Sequence, residues 1–117
     1  MKRTPAARLV DIREMIDAVA AMVENVDLRT YRKDLKLRLA VERCVEIVSE
    51  ASRHISATDK AGFPAVPWPE IAAIGNKLRH EYNRVDDLIV WQVATEALPA
   101  LRPTIVRLLE SASPSES

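Results

Sequence analysis

The chain has 117 residues, which is enough for one globular domain and too few for two domains of ordinary size. Apolar residues make up 48% of it, glycine occurs only twice and aromatic residues amount to 4%, so the composition favours helices over sheets. Seventeen basic residues balance seventeen acidic ones. This balance excludes a strong overall attraction to nucleic acid, but a local basic patch would suffice to bind RNA.

The cellular compartment is predicted from cysteine content and hydropathy. Cys44 is the single cysteine, so an internal disulfide is excluded and a reducing compartment is favoured. The basic start of the chain is not followed by an apolar signal core, and no apolar run reaches the roughly 18 residues that a membrane span needs. We therefore predict a soluble, cytoplasmic protein that does not bind membranes.

The first predicted helix covers about residues 5–25. Thr4 and Pro5 provide a hydroxyl cap followed by proline at the first helical position. Apolar side chains then recur three and four positions apart, which is the pattern of one buried helix face, at Leu9, Ile12, Ile16, Val19, Val23 and Val26. A short turn or helix is expected at residues 27–33.

A second long helix is predicted over about residues 34–55. Its apolar face consists of Leu37, Val41, Cys44, Val48, Ala51 and Ile55. Because Cys44 lies within this face, we expect a packed and unreactive thiol. The next stretch, residues 56–69, contains Gly62 and three prolines and is predicted to be a loop.

Two further helical stretches complete the predicted fold. A third helix begins at Trp68 and ends near residues 82–85, and Asp86 or Asp87 caps a fourth. Pro99 predicts a kink or break before a last segment that contains Leu101, Ile105 and Leu108. The expected fold is all-α, an antiparallel bundle of four to five helices. Residues 1–110 are predicted to form the single domain, and residues 111–117 a disordered tail.

Metal and cofactor sites receive little support from the sequence. Two histidines and one cysteine lack the spacing of a zinc site, and no glycine-rich phosphate loop is present. Glu42, Glu46 and Glu50 form a row that could bind a hard cation, but Arg43 and Arg53 flank it. An ion-pair face is the stronger interpretation, so we predict neither a metal nor a cofactor.

Residues 75–82 carry the most chemically capable pattern. Asn76, Arg79 and His80 are three and four positions apart, so they project within one sector of a helix, and Tyr82 lies near its end. Histidine transfers protons near pH 7 and arginine binds phosphate through paired hydrogen bonds. Together they suit RNA cleavage through the ribose 2′-hydroxyl without a metal. The alternative is a solvated helix end with a histidine near the helix dipole.

Five other residues, inside or outside this pattern, have a predicted role. Gly75 lies inside the predicted helix, where glycine costs about 1 kcal/mol relative to alanine, so a second helix or a ligand is expected to approach closely there. Lys77 and Arg84 flank the pattern and are candidates for RNA phosphate contacts. Trp68 and Trp91 could stack on bases, but their positions favour a role as core anchors.

Four stretches carry a family resemblance. They are residues 40–53, residues 66–71, residues 75–82, and the group formed by residues 85–86, 90–91 and 98–101. In this order and spacing they resemble the HepT-like family of minimal HEPN-domain toxin ribonucleases, and the resemblance covers about residues 5–110.

The resemblance implies a HEPN-like helical bundle that forms a two-fold homodimer, with both active sites in a cleft at the interface. It implies a toxin that cleaves RNA, and a minimal nucleotidyltransferase as antitoxin that adds AMP to the tyrosine of an Arg-x4-His-x-Tyr motif. In this chain His80 is the motif histidine, Tyr82 the modifiable tyrosine and Asn76 the residue after the motif arginine. Gly75 replaces that arginine, and our hypothesis is that Arg79 supplies the phosphate contact from one helical turn away.

Two functions remain in competition at this point. The first is a metal-independent endoribonuclease toxin of a toxin–antitoxin pair. The second is a homodimer with weakened or lost activity that serves as a binding partner for a nucleotidyltransferase. A nucleotide-binding helper domain is disfavoured because the sequence has no phosphate loop. Gly75→Arg should raise the activity of a weakened nuclease and should change nothing in a protein that only binds.

Overall fold

A computed structural model describes residues 4–81 and 86–112 of the chain. Within these ranges the protein is helical and contains no strand, so the predicted all-α class is confirmed. Four long helices and three short ones follow in chain order, with a π-helical turn (Val93–Ala97) before the last: α1 (Pro5–Val23), α2 (Leu28–Lys33), α3 (Leu35–Ser52), α4 (Ala57–Ala61), α5 (Trp68–Glu81), α6 (Asp87–Gln92) and α7 (Leu98–Ala112).

Polar side chains fix the predicted helix starts. The Thr4 hydroxyl accepts a hydrogen bond from the Ala7 amide at 3.0 Å, and Pro5 occupies the first helical position of α1. Of the two aspartates proposed to cap the fourth predicted helix, Asp86 is the one that does so, because its carboxylate accepts from the Leu88 amide at 2.7 Å. These caps satisfy backbone N–H groups that have no partner within the helix.

The predicted loop at residues 56–69 was wrong in part. Its first residues form α4, which begins when the Ser56 hydroxyl accepts a hydrogen bond from the Asp59 amide at 3.1 Å. The breakers Gly62 and Pro64 come after this helix, so residues 57–61 contain nothing that opposes helix formation. The last helix also extends to Ala112, two residues past the predicted domain boundary, and residues 113–117 lie outside the described part.

A π-helical turn takes the place of the predicted break at Pro99. The Leu98 amide donates to the carbonyl of Val93, one residue further back than in an α-helix. Such a wide turn accommodates a following proline, whose ring would otherwise clash with the carbonyl four residues before it. The chain therefore stays helical through Pro99 and Pro103 to the end of α7.

The core lies between the long helices. α1 packs against α3 and α7, and α3 in turn packs against α5. The predicted apolar faces supply most of its buried side chains, among them Leu9, Ile12, Ile16 and Val19 of α1 and Val41, Val48 and Ala51 of α3. Cys44 is half-buried, and burial raises the pKa of its thiol, which agrees with the predicted packed and unreactive cysteine.

Both tryptophans contribute to packing. Trp68 is buried, and its indole N–H donates to the carbonyls of Lys60 and Phe63. The Trp91 ring packs against the buried ring of Tyr31 with 5.1 Å between the centroids. These contacts confirm the interpretation as core anchors. None of the helices formed by residues 4–81 and 86–112 has the length and the apolar run needed to cross a membrane.

Candidate active site

α3 and α5 approach each other closely at Ser49 and Gly75. A Cβ atom added to Gly75 would clash with the Ser49 hydroxyl and would lie 2.6 Å from Ser49 Cβ. The Ser49 hydroxyl accepts a hydrogen bond from the Gly75 amide at 3.0 Å and donates to the Ala72 carbonyl at 2.9 Å. A second helix therefore approaches closely at Gly75, which was one of the two predicted reasons for a glycine inside this helix.

A polar groove runs along the outer side of α5. It has a volume of about 370 Å³, and its lining consists of Arg53, Pro69, Ala72, Ala73, Asn76, Lys77 and His80. Three residues selected from the sequence, Asn76, Lys77 and His80, therefore meet at one place. They do so because His80 lies four positions after Asn76 and three after Lys77, on a helix that packs against α3.

Arg79 lies beside this groove and is not part of its lining. Its guanidinium donates to Asn76 Oδ1 at 2.7 Å and lies 3.6 Å from the carboxylate of Glu50 on α3. His54 contacts the same carboxylate at 3.3 Å. The hydrogen bond with His54 and the interactions with Arg79 lower the pKa of the Glu50 carboxyl, so Glu50 is negatively charged beside Arg79. Arg79 is thus connected to the groove through Asn76.

Arg53 is the site residue that the sequence analysis missed. It is the C-cap residue of α3, and its guanidinium crosses to α5, where Nη2 donates to the Ala72 carbonyl at 2.9 Å. From the sequence, Arg53 was assigned only to an ion-pair face, as a residue that flanks the glutamate row. A signal was available, because Arg53 lies one helical turn after Ser49 and therefore on the face of α3 that packs against α5.

Two glutamates of the α3 row, Glu46 and Glu50, form ion pairs, in agreement with the interpretation favoured from the sequence. Glu46 contacts Arg43 at 3.4 Å, and Glu50 contacts both His54 and Arg79. In the part of the chain that the structure describes, no three histidine, cysteine or acidic side chains are arranged so that they could bind a metal ion. Tyr82 and Arg84, the other two residues singled out from the sequence, lie outside the described residues.

An apolar groove follows the neighbouring side of α5. It lies between α5 and the α6–α7 pair, and its apolar lining includes Ile71, Ile74, Ile89, Val93 and Leu98. Ala73 and Lys77 border both grooves. No histidine or arginine lines the apolar groove, whereas the polar groove is lined by His80 and Arg53.

The polar groove combines groups that act on phosphate esters. His80 offers an imidazole, Asn76 an amide, and Lys77 and Arg53 offer positive charge, all in one exposed depression. An imidazole can accept or donate a proton, and the cationic side chains can bind anionic phosphate oxygens.

Comparison with known proteins identifies the family. The sequence model described as "Ribonuclease HepT-like" matches residues 12–108. A candidate RNase of Methanocaldococcus jannaschii is 33% identical over 89% of this chain and 95% of its own length. A candidate ribonuclease HepT of Thermococcus cleftensis is 33% identical over 92% of this chain and 98% of its own.

A third relative, a candidate RNase of Caldanaerobacter subterraneus, is 29% identical over 92% of this chain and 96% of its own length. No solved structure matches the chain significantly. The family match covers most of the chain, including the whole of α5 with the polar groove. The chain belongs to the HepT-like ribonuclease family.

Proposed function

We propose that this protein is an endoribonuclease that cleaves RNA through the ribose 2′-hydroxyl, with His80 as the proton-transfer group. The observation that carries the proposal is the polar groove, in which His80, Asn76 and Lys77 lie together with a guanidinium. Membership of a ribonuclease family and the names of its relatives support it.

In the proposed reaction the 2′-oxygen attacks the adjacent phosphorus, and the bond from phosphorus to the 5′-oxygen of the next nucleotide breaks. His80 takes the proton of the 2′-hydroxyl or donates a proton to the leaving 5′-oxygen, and water performs the other transfer. The products are a 2′,3′-cyclic phosphate and a 5′-hydroxyl end. The cationic side chains stabilise the negative charge of the phosphorane, which is greater than that of the starting phosphate diester.

The other side chains have supporting roles in this proposal. Lys77 lies beside His80 and contacts an RNA phosphate as a point charge. Arg79 holds the amide oxygen of Asn76, so that the Asn76 amide N–H groups remain free for the substrate, and its guanidinium adds positive charge at the edge of the groove. Arg84 is also proposed to contact an RNA phosphate, and this role depends on the sequence alone.

The proposed function is tested with RNA that lacks the reacting group. Single-stranded RNA should be cut in the presence of EDTA, to ends with a 2′,3′-cyclic phosphate and a 5′-hydroxyl, because His80 and the cationic side chains need no metal. The same sequence with 2′-O-methyl groups should remain intact. Gel electrophoresis with end analysis checks both. Cutting of the 2′-O-methyl strand, loss of cutting in EDTA, or intact RNA in every reaction would contradict the proposal.

We also propose that the protein acts as the toxin of a toxin–antitoxin pair in the cytoplasm. Its antitoxin would be a minimal nucleotidyltransferase that transfers AMP from ATP to the Tyr82 hydroxyl and releases pyrophosphate. Tyr82 follows His80 by two residues in the sequence, and an AMP group on it would add bulk and negative charge to this segment of the chain. This part of the proposal depends on the family resemblance.

A homodimer is the assembly that we propose. The apolar groove beside α5 supports this, because Ala73 and Lys77 join it to the polar groove and Ile89, which lines it, is an exposed apolar side chain. Burial of such a surface against a second copy is favourable. Sedimentation equilibrium should give twice the mass of one chain at micromolar concentration. A measured mass equal to that of one chain would contradict the proposed homodimer.

The replacement of the motif arginine by Gly75 favours a second candidate function. In that case the protein has lost RNA cleavage and retains binding to a nucleotidyltransferase. Intact RNA in the cleavage test, together with a stable complex with the nucleotidyltransferase in size-exclusion chromatography, would select this alternative.

A further inference from the structure

We infer that Arg53 is a phosphate-binding arginine of the polar groove, contributed by α3 and not by the motif helix. This inference rests on the proposed ribonuclease function and adds a residue to it. Three observations carry it: the position of the guanidinium, its charge environment and its anchoring to α5.

The position of Arg53 places its guanidinium on the substrate side of α5. Arg53 lines the same groove as Asn76, Lys77 and His80. Its hydrogen bond to the Ala72 carbonyl involves one N–H of Nη2, out of the five N–H groups of a guanidinium. The remaining N–H groups can bind two oxygens of one phosphate in parallel, a geometry that lysine does not offer. A phosphate beside His80 can therefore also contact Arg53.

The charge environment separates Arg53 from Arg79. The guanidinium of Arg79 lies 3.6 Å from the Glu50 carboxylate and donates to Asn76 at 2.7 Å. Among the side chains of residues 4–80 and 86–112, no carboxylate forms an ion pair with Arg53. A cation that forms no ion pair attracts an anionic ligand more strongly than one that is already paired. Arg53 is thus the arginine whose charge is available to the groove.

The anchoring of Arg53 limits its freedom before RNA binds. The Ala72 carbonyl that accepts from Arg53 also accepts from the Ser49 hydroxyl, at the point where α3 and α5 meet. Arg53 is therefore tied to the fixed crossing of the two helices. A side chain that is already held near its bound position loses less conformational entropy when it binds substrate.

The test compares Arg53→Ala, Arg53→Lys and the control Arg43→Ala. Arg43 lies on α3, of which Arg53 is the C-cap, and is exposed, but its guanidinium contacts Glu46 and it is not among the residues that line the groove. We expect Arg53→Ala to lower the rate of RNA cleavage on the order of 10²-fold, Arg53→Lys to lose less, and Arg43→Ala to match the wild type. Thermal unfolding of each variant shows whether the fold is retained.

A second measurement separates a phosphate contact from a structural tie between helices. The affinity for 2′-O-methyl RNA is measured as a function of salt, where each lost phosphate contact reduces the slope of log K against log salt by about 0.7. Arg53→Ala should show this reduction and Arg43→Ala should not, whereas a purely structural role would leave the slope unchanged.

The outcomes distinguish this inference from the proposed function. If Arg53→Ala cleaves RNA as fast as the wild type, or retains its salt slope, the inference about Arg53 is wrong and the ribonuclease proposal stands. If the wild type itself does not cleave RNA, both are wrong.

Discussion

His80→Ala is expected to lower the rate of RNA cleavage by about 10²- to 10⁴-fold, which is the usual contribution of a general acid or base. The substitution removes the imidazole and leaves the other groove residues in place. His80 is exposed on α5 and supports no buried contact, so the thermal unfolding temperature should stay close to that of the wild type. Initial cleavage rates on one RNA oligonucleotide measure the effect.

His54→Ala is the matched control, because His54 is the other of the two histidines and is also exposed. It contacts Glu50 on α3 and does not line the groove, so its replacement should leave the cleavage rate nearly unchanged. Equal rates for the wild type and His80→Ala would remove His80 from the mechanism. If His54→Ala greatly lowered the cleavage rate and His80→Ala did not, the proton-transfer group would have to be His54, outside the polar groove.

Gly75→Arg, which restores the motif arginine, is expected to destabilise the protein by about 2 to 3 kcal/mol, as overpacking at a helix contact does. The new Cβ would lie 2.6 Å from Ser49 Cβ, an atom fixed to the backbone of α3 that cannot rotate away. The gain in helix propensity is smaller, at about 1 kcal/mol. Urea unfolding should show this decrease in the free energy of unfolding. Gly75→Ala should show most of the same decrease, because the clash already involves the Cβ atom.

Gly62→Arg is the control for this effect, because Gly62 is the other glycine of the chain. A Cβ atom there would lie 3.4 Å from the Asp59 carbonyl, an ordinary contact, so stability should change little. The double variant Ser49→Gly/Gly75→Arg should recover part of the lost stability. Without the Ser49 side chain, the nearest remaining contact of the new Cβ is the Glu46 carbonyl at 3.6 Å. An unchanged stability of Gly75→Arg would contradict the close helix contact.

The double variant is also the better form of the activity test suggested by the sequence. Gly75→Arg alone changes both the site and the packing of α5 against α3, so a loss of activity would have two causes. In Ser49→Gly/Gly75→Arg the arginine has room, and a weakened nuclease should cleave RNA faster than Ser49→Gly alone. No increase would indicate that the groove functions without an arginine at position 75.

The long helices could be predicted because their signals are local. The apolar spacing in α1 and α3 and the caps at Thr4 and Asp86 involve residues only a few positions apart. The short helix α4 was missed because five residues carry too little periodicity to predict a helix. The π-helical turn was missed because a proline predicts a disturbance of the helix without specifying its form.

The site could be predicted in the part that lies on one helix. Asn76, Lys77 and His80 share a face of α5, and helical spacing alone brings them together. Arg79 was selected by the same rule, but its guanidinium is turned toward Glu50 of α3, a contact between two helices that spacing within one helix cannot reveal. Arg53 was missed for the same reason, because it reaches the groove from another helix.

The amino-acid sequence by itself determined the helical class, the family and the helix that carries His80, because these depend on local periodicity and on a pattern of residues in order. Only the tertiary structure decided which arginine faces the groove and why position 75 carries a glycine. The first depends on contacts between α3 and α5, namely those of Arg53 with the Ala72 carbonyl and of Arg79 with Glu50. The second depends on the contact between Ser49 and Gly75, 26 residues apart in the chain, where the same two helices meet closely enough to leave no room for a Cβ atom.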